Sequence, residues 1–194
     1  LHEGSLHASG KPIDVINEYS KILSLDESSK EITEENKSSL NRAQILETEN
    51  SKEFSYGGKK AVINDVKLFN NQNEETNVLK SGEKFTVEFG VRAEEKIIEP
   101  IYAMVIRDCK GQEIYGQNTH FSKTPTEDLE EKSETKVSFR LNLNLGAGDY
   151  LISLGLTRFE GDQIQVIHRR YDALKIEVIN DDGSIGLANC FSSI

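Results

Sequence analysis

A chain of 194 residues, 36% hydrophobic and 29% charged, has room for one well-cored domain and a solvated remainder. Its net charge of -10 argues against a nucleic-acid binder, which needs a basic face. No run approaches the roughly 18 apolar residues of a membrane helix, and Leu1-His2-Glu3-Gly4 has neither the basic start nor the apolar stretch of a signal peptide.

With no initiator Met, the chain reads as a fragment. Residues 1–25 form the first zone. Leu1 to Gly10 has the pattern of a small hairpin around a Gly turn. Pro12 then sits in a first helical turn, where its missing N–H costs nothing. Ile13, Ile16, Tyr19, Ile22 and Leu23 recur at helical spacing. A helix this short is unstable alone and needs a partner surface. Residues 26–54 are rich in Glu, Ser, Lys and Asn and read as a linker, with transient helix around Leu40 to Leu46.

Residues 55–194 alternate. Apolar residues fall at every second position in Ala61–Phe69, Phe85–Val91, Tyr102–Ile106, Val137–Leu141 and Tyr150–Leu156. Glu113 to Asn118, Ile164 to Ile167 and Leu174 to Val178 complete a set of about eight strands. Turn clusters separate them, among them Asn70-Asn71-Gln72-Asn73, Ser81-Gly82, Lys110-Gly111 and Glu160-Gly161-Asp162. Short strands with no intervening helix predict an all-β antiparallel sandwich, preceded by the short helix and linker.

The chain carries no phosphate loop, nucleophile elbow, zinc-protease helix or dinucleotide fingerprint, so no catalytic residue is assigned. His2, His7, His120 and His168 lack metal-ligand spacing, although His120 and His168 would meet across strands; no metal and no cofactor are expected. Paired carboxylates such as Glu94-Glu95 and Glu130-Glu131 fall in turns and read as solvated. Cys109 and Cys190 have no metal or redox spacing and are expected as reduced thiols.

One strand departs from the ordinary pattern. Tyr150, Ile152, Leu154 and Leu156 face the core, while the other face carries Ser153, Gly155 and Thr157. Small residues leave a trough where a ligand lies close to the backbone. Expected around it are Tyr115, Gln117, Asn118, His120, His168, Arg169, Arg170 and Tyr171. Amides, guanidinium forks and aromatic rings suit a polyhydroxylated or anionic ligand; an ordinary polar solvent face is the alternative.

These residues resemble the C-terminal domain of the Wzt family, the ATPase subunit of O-antigen polysaccharide ABC transporters. The matching pieces are Tyr56-Gly57 before Ala61-Val62-Ile63-Asn64-Asp65-Val66, Leu79-Lys80-Ser81-Gly82-Glu83, Ile106-Arg107-Asp108 with Gly111, and Ile114 to Thr119. Leu145 to Tyr150, Asp172-Ala173-Leu174 and Gly183-Ser184-Ile185-Gly186-Leu187 follow in order. Gly4, Gly10, Pro12, Val15, Ile16 and Tyr19 are similar to the end of an ABC ATPase domain.

The resemblance implies an immunoglobulin-like domain that recognises the modified non-reducing end of a finished O-polysaccharide before export. It implies a homodimer, in some members by exchange of the last strand, here near Ile185 to Cys190. It implies a cytoplasmic location, peripheral at the inner membrane, with the ATPase domain and a transmembrane subunit as partners. The family's ATP-binding motifs are absent from this chain, so it is not expected to hydrolyse ATP. The chain also has no Trp, leaving Tyr115, Tyr171 or Tyr102 as stacking residues. A second reading is a dimerisation and tethering module without sugar recognition; a hydrolase would need an acid/base pair that the spacing does not reveal.

Overall fold

In the computed structural model of this chain the described residues are 54–181 and 183–190, with positions 6, 8–10, 15 and 19. The expected N-terminal hairpin apart from positions 6 and 8–10, none of which is in a strand, the helix apart from the helical positions Val15 and Tyr19, and the linker apart from Phe54 lie outside them. Two compact units divide the chain, Leu1–Gln44 and Ile45–Ile194.

The described residues of the second unit form nine strands: β1 (Phe54–Gly57), β2 (Ala61–Phe69), β3 (Val78–Lys80), β4 (Lys84–Ala93), β5 (Ile101–Asp108), β6 (Glu113–Asn118), β7 (Glu134–Asn142), β8 (Gly148–Glu160) and β9 (Gln163–Ile179). A six-stranded sheet runs β1-β9-β8-β5-β6, with β3 also on β9; a three-stranded sheet runs β2-β4-β7. This is an immunoglobulin-like β-sandwich, antiparallel except where β3 lies parallel to β9.

The two-residue period of a strand explains the layers. In β4, Phe85, Val87, Phe89 and Val91 are each at most 2% exposed, while the alternate residues turn outward. Phe139 of β7 stacks on Phe89 with ring centroids 6.3 Å apart. From the larger sheet, Met104, Ile106, Ile152, Leu154, Leu156, Ile176 and Val178 close the core. Each such side chain contributes roughly 1.5–3 kcal/mol by leaving water. Tyr102 lies deep enough that burial pushes its hydroxyl pKa up to about 12.

Three elements differ from the expectation of about eight strands. β1 falls at the end of the expected linker; four residues are too few to show a period. β3 has three residues, yet its Leu79 is fully buried. The two expected final strands are one, β9, which continues through a bend. At that bend Asp172 takes φ 55, a left-handed conformation that Asp tolerates better than most residues. Its backbone N–H donates to Ser153 Oγ at 3.1 Å, where the β8–β9 register shifts. Arg107 Nε donates to Asp172 Oδ1 at 2.8 Å, matching the one charge with the other. The chain therefore turns without leaving the sheet.

Residues 183–190 return to the sandwich edge. Leu145 bridges Ala188, Gly146 N–H donates to Leu187 O at 3.0 Å, and Asn189 N–H donates to Asn144 O at 3.1 Å. Ser81 Oγ donates to Leu145 O at 2.6 Å and accepts from Asn189 Nδ2 at 3.2 Å. A methyl group at Gly146 would collide with the Gly186 carbonyl, a backbone atom. Gly146→Ala is thus expected to lift the tail and speed amide exchange at Asn189 by tenfold or more, roughly a 1.4 kcal/mol change in local opening. Unchanged exchange at that amide would show that the tail follows the added methyl group.

Candidate functional site

The outer face of the six-stranded sheet is read from its register. Ala103 pairs with Gly155 and with Asn118, and Val105 pairs with Ser153 and with Gly116. Gly155 pairs with Arg169, and Arg169 pairs with Tyr56 of β1. Directly opposed residues point the same way. Asn118, Ser153, Thr157 and Arg169 therefore share the outer face, and Tyr171, two residues from Arg169, joins them.

Four expected site residues do not. Tyr115 pairs with Ile106 and Gln117 with Met104, both core residues, so these two face the core side at the sheet's rim. His168 pairs with Leu156 and Arg170 with Leu154, again on the core side. Sequence neighbours in a strand alternate faces, so His168-Arg169-Arg170-Tyr171 cannot present one surface. His168 instead accepts the Ile63 N–H on Nδ1 at 2.9 Å, and Arg170 Nη1 donates to the Ile63 carbonyl at 3.4 Å. Together they tie β9 to β2. Burial, and secondly the charge of Arg170, push the His168 pKa down to about 4. His120 and His168 do not meet; His120 lies past β6, its ring 5.0 Å from that of Phe159.

The small residues behave differently from an open trough. Ser153 is 8% exposed and Thr157 6% exposed. The Ser153 hydroxyl is engaged at the β9 bend. Gly155 makes room for a side chain: a Cβ there would stand 3.7 Å from Arg169 Cγ and Nε. The Arg169 side chain thus passes over the glycine and fills the space that an open trough would leave. Arg169 Nη1 donates to Tyr171 Oη at 3.3 Å, and the Tyr56 and Tyr171 rings stack with centroids 6.2 Å apart. Arg107 lies 5.7 Å from the Tyr171 ring centroid, a cation–π distance.

Tyr56, Arg107, Glu113 and Phe159 are the residues of this face that the alternation reading passed over. Tyr56 sits on a strand that the reading did not contain. Arg107 alternates with Val105 and Ala103, and that spacing is the signal that places it on this face. Charge on the face is close to balanced. Asp172 pairs with Arg107, and Glu113 acts on Arg169, whose pKa burial lowers but which the neighbouring Tyr56, Tyr171 and Glu113 hold up on balance. A balanced face with aromatic rings and forked donors favours a neutral polyhydroxylated ligand over a strongly anionic one.

Elsewhere an open cleft of about 490 Å³ is lined by Gly148, Asp149, Glu177 and Ile179, among others. Two carboxylates and no ring recommend it less. Cys109 and Cys190 are exposed and unbridged. Among the described residues no three His, Cys, Asp or Glu side chains are placed to hold a metal ion.

Fold and face together define an immunoglobulin-like sandwich that offers a sheet face, rather than loops alone, to its surroundings. The chain belongs to the Wzt C-terminal domain family, whose model matches residues 52–190. The matched part is that C-terminal domain and not a nucleotide-binding domain. A crystal structure of the C-terminal domain of Wzt is similar at 21% identity and a TM-score of 0.68, covering 74% of this chain and 87% of that one. The likeness shows the fold. A CARDB domain from Pyrococcus furiosus (11% identity, 64% of this chain and 93% of that one, TM-score 0.38) is too distant to add to it. The same holds for the alkylpurine DNA glycosylase AlkC from Pseudomonas fluorescens (8% identity, 62% and 31%, TM-score 0.40). A search of curated proteins found no match. Among the described residues no helix is long and apolar enough to cross a membrane.

Proposed function

We propose that this chain is the carbohydrate-binding module of an O-antigen polysaccharide ABC transporter, and that it recognises the modified non-reducing end of the polysaccharide to license export. The observation that carries this reading is the outer face around Arg169, where a guanidinium lies over Gly155 between stacked tyrosines and Asn118. Family membership supports the transporter context. Forked donors bind ring hydroxyls in pairs, and the tyrosine rings cover the apolar face of a sugar.

In this reading residues 1–25 are the end of the ATPase domain, residues 26–54 the linker, and residues 55–194 the module. It works as a homodimer, with or without exchange of the tail, at the cytoplasmic side of the inner membrane beside the transmembrane subunit. The module binds and holds; ATP hydrolysis belongs to the domain upstream.

The test is calorimetry of the full chain with O-polysaccharide purified from the encoding organism, with and without its terminal cap. Capped chains are expected to bind and uncapped chains to bind at least tenfold more weakly. Arg169→Ala is expected to weaken capped binding by about 10- to 100-fold, the loss of charge-assisted hydrogen bonds worth about 1.5–3 kcal/mol. Equal binding of both polysaccharides would exclude end recognition. An Arg169→Ala chain that supports normal export would favour the tethering module, for which the exposed Ile185 and Leu187 of the tail are the motivating residues.

A further inference from the structure

The outer face does not end at Arg169. Phe159 lies two residues beyond Thr157 on β8, on the same side of the sheet, and pairs with Ile164 across the β8–β9 hairpin. The His120 ring meets Phe159 edge-on at 5.0 Å and lies 6.0 Å from Phe121. Phe121 is 75% exposed, Ile164 58% and Phe159 42%. Single exposed apolar residues are ordinary, but here one imidazole lies against both phenyl rings, and Ile164 stands opposite Phe159 across the hairpin.

The turn that carries two of these rings is built rather than loose. Asn118 Oδ1 accepts the Phe121 N–H at 2.7 Å, and Ser122 N–H donates to Asn118 O at 3.1 Å. Thr119 Oγ1 accepts the Tyr102 N–H at 3.1 Å, pinning the turn to β5. Asn118, expected to contact the ligand, thus holds the rings in place.

We propose that Phe121, Phe159, His120 and Ile164 form a stacking platform for a neutral sugar ring farther along the polysaccharide than its capped end. This rests on the carbohydrate reading of the same face. Four residues separate Gly155 from Phe159, a span of about 13 Å along the strand. A single terminal residue held at Arg169 does not reach the platform; a chain of several does. Sugar rings present an apolar C–H face, which a phenyl ring covers without needing a charged partner.

Two other occupants fit less well. A stable pair of protein copies buries about 1,200–2,000 Å², more than four side chains of this size supply. An anionic bilayer would meet Glu160 and Asp162 in the hairpin turn beside the rings.

The experiment compares the full chain with its Phe121→Ala/Phe159→Ala variant against two probes from the encoding organism. One is the intact O-polysaccharide, the other a short capped fragment from its non-reducing end. The variant is expected to bind the polysaccharide about tenfold more weakly, a change of about 1.4 kcal/mol, and the fragment unchanged. Matching circular dichroism and melting curves check that both proteins are folded. Unaltered polysaccharide binding, or equal losses on both probes, would overturn the platform while leaving end recognition standing. If the parent chain binds neither probe, the carbohydrate reading falls and the platform with it. Sedimentation and flotation with phosphatidylethanolamine–phosphatidylglycerol vesicles supply the remaining outcomes. A loss confined to self-association or to vesicle binding would assign the rings to a second copy or to a lipid surface.

Discussion

Arg107→Met is expected to destabilise the domain by about 3–5 kcal/mol, because it leaves a buried carboxylate without its counter-charge. The Arg107 and Asp172 side chains are 8% and 10% exposed. Arg107 Nε donates to Asp172 Oδ1, and Nη2 rests against the same oxygen without a hydrogen-bonding angle. One oxygen therefore carries most of the interaction, and both side chains are largely shut off from solvent. Asp172 also stands at the bend of β9 with φ 55, so Asp172→Ala would mix backbone strain with the loss of charge. Asp172→Asn separates them, since Asn accepts the same backbone conformation. Urea unfolding of each single variant and of the double variant measures the pair. Each single change is expected to cost several kcal/mol and the double change less than their sum. A loss below about 1 kcal/mol for Arg107→Met would mean that solvent reaches the pair and screens it as it does surface pairs.

A second large effect is expected from pH. Burial and Arg170 hold the His168 pKa near 4, against 6.5 for an ordinary histidine. The unfolded chain therefore takes up a proton at a higher pH than the folded one. Stability from this group is complete above about pH 6.5 and is lost as pH falls toward 4, by about 3 kcal/mol at most. The cause is local: Nδ1 must stay unprotonated to accept the Ile63 N–H, and protonation would place a charge beside Arg170 within the sandwich. His168→Asn keeps an acceptor near that position and removes the titration. Between pH 6.5 and 4.5 the variant is expected to lose less stability than the parent in matched denaturant titrations. Parallel curves would show that the imidazole opens to water before it titrates.

The sandwich was legible because buried strands must alternate, and β4 does so without interruption from Phe85 to Val91. β1 and β3 were not legible, because three or four residues carry no period and are held by the strand they join. The apolar stretches Ile164 to Ile167 and Leu174 to Val178 read as two strands, because the polar run His168-Arg169-Arg170-Tyr171-Asp172 between them shows no apolar alternation; it lies within β9. In the fold each polar side chain of that run has a destination: Ile63 for His168 and Arg170, Tyr171 for Arg169, and Arg107 for Asp172. Four of the ten expected site residues, Tyr115, Gln117, His168 and Arg170, fall on the core side of the sheet. Composition singled out a cluster along the chain, whereas the pleat divides it between two faces. Gly155 reads as a place where a ligand comes close to the backbone; in the fold it is Arg169 that comes close to it, which no local sequence pattern signals.

The bend in β9 has a consequence for biosynthesis. One continuous strand near the C-terminus receives β1 on its first half and β3 on its second. Phe54–Gly57 therefore has no partner until His168–Tyr171 leaves the ribosome. At about 5–20 residues per second that interval is roughly 5–25 s. Throughout it the emerging chain carries an unfinished sheet with Leu79 and the inner side of β5 uncovered. A domain wired in this way closes late and as a whole, so its nascent chain calls for shielding by chaperones in proportion to how slowly it is translated.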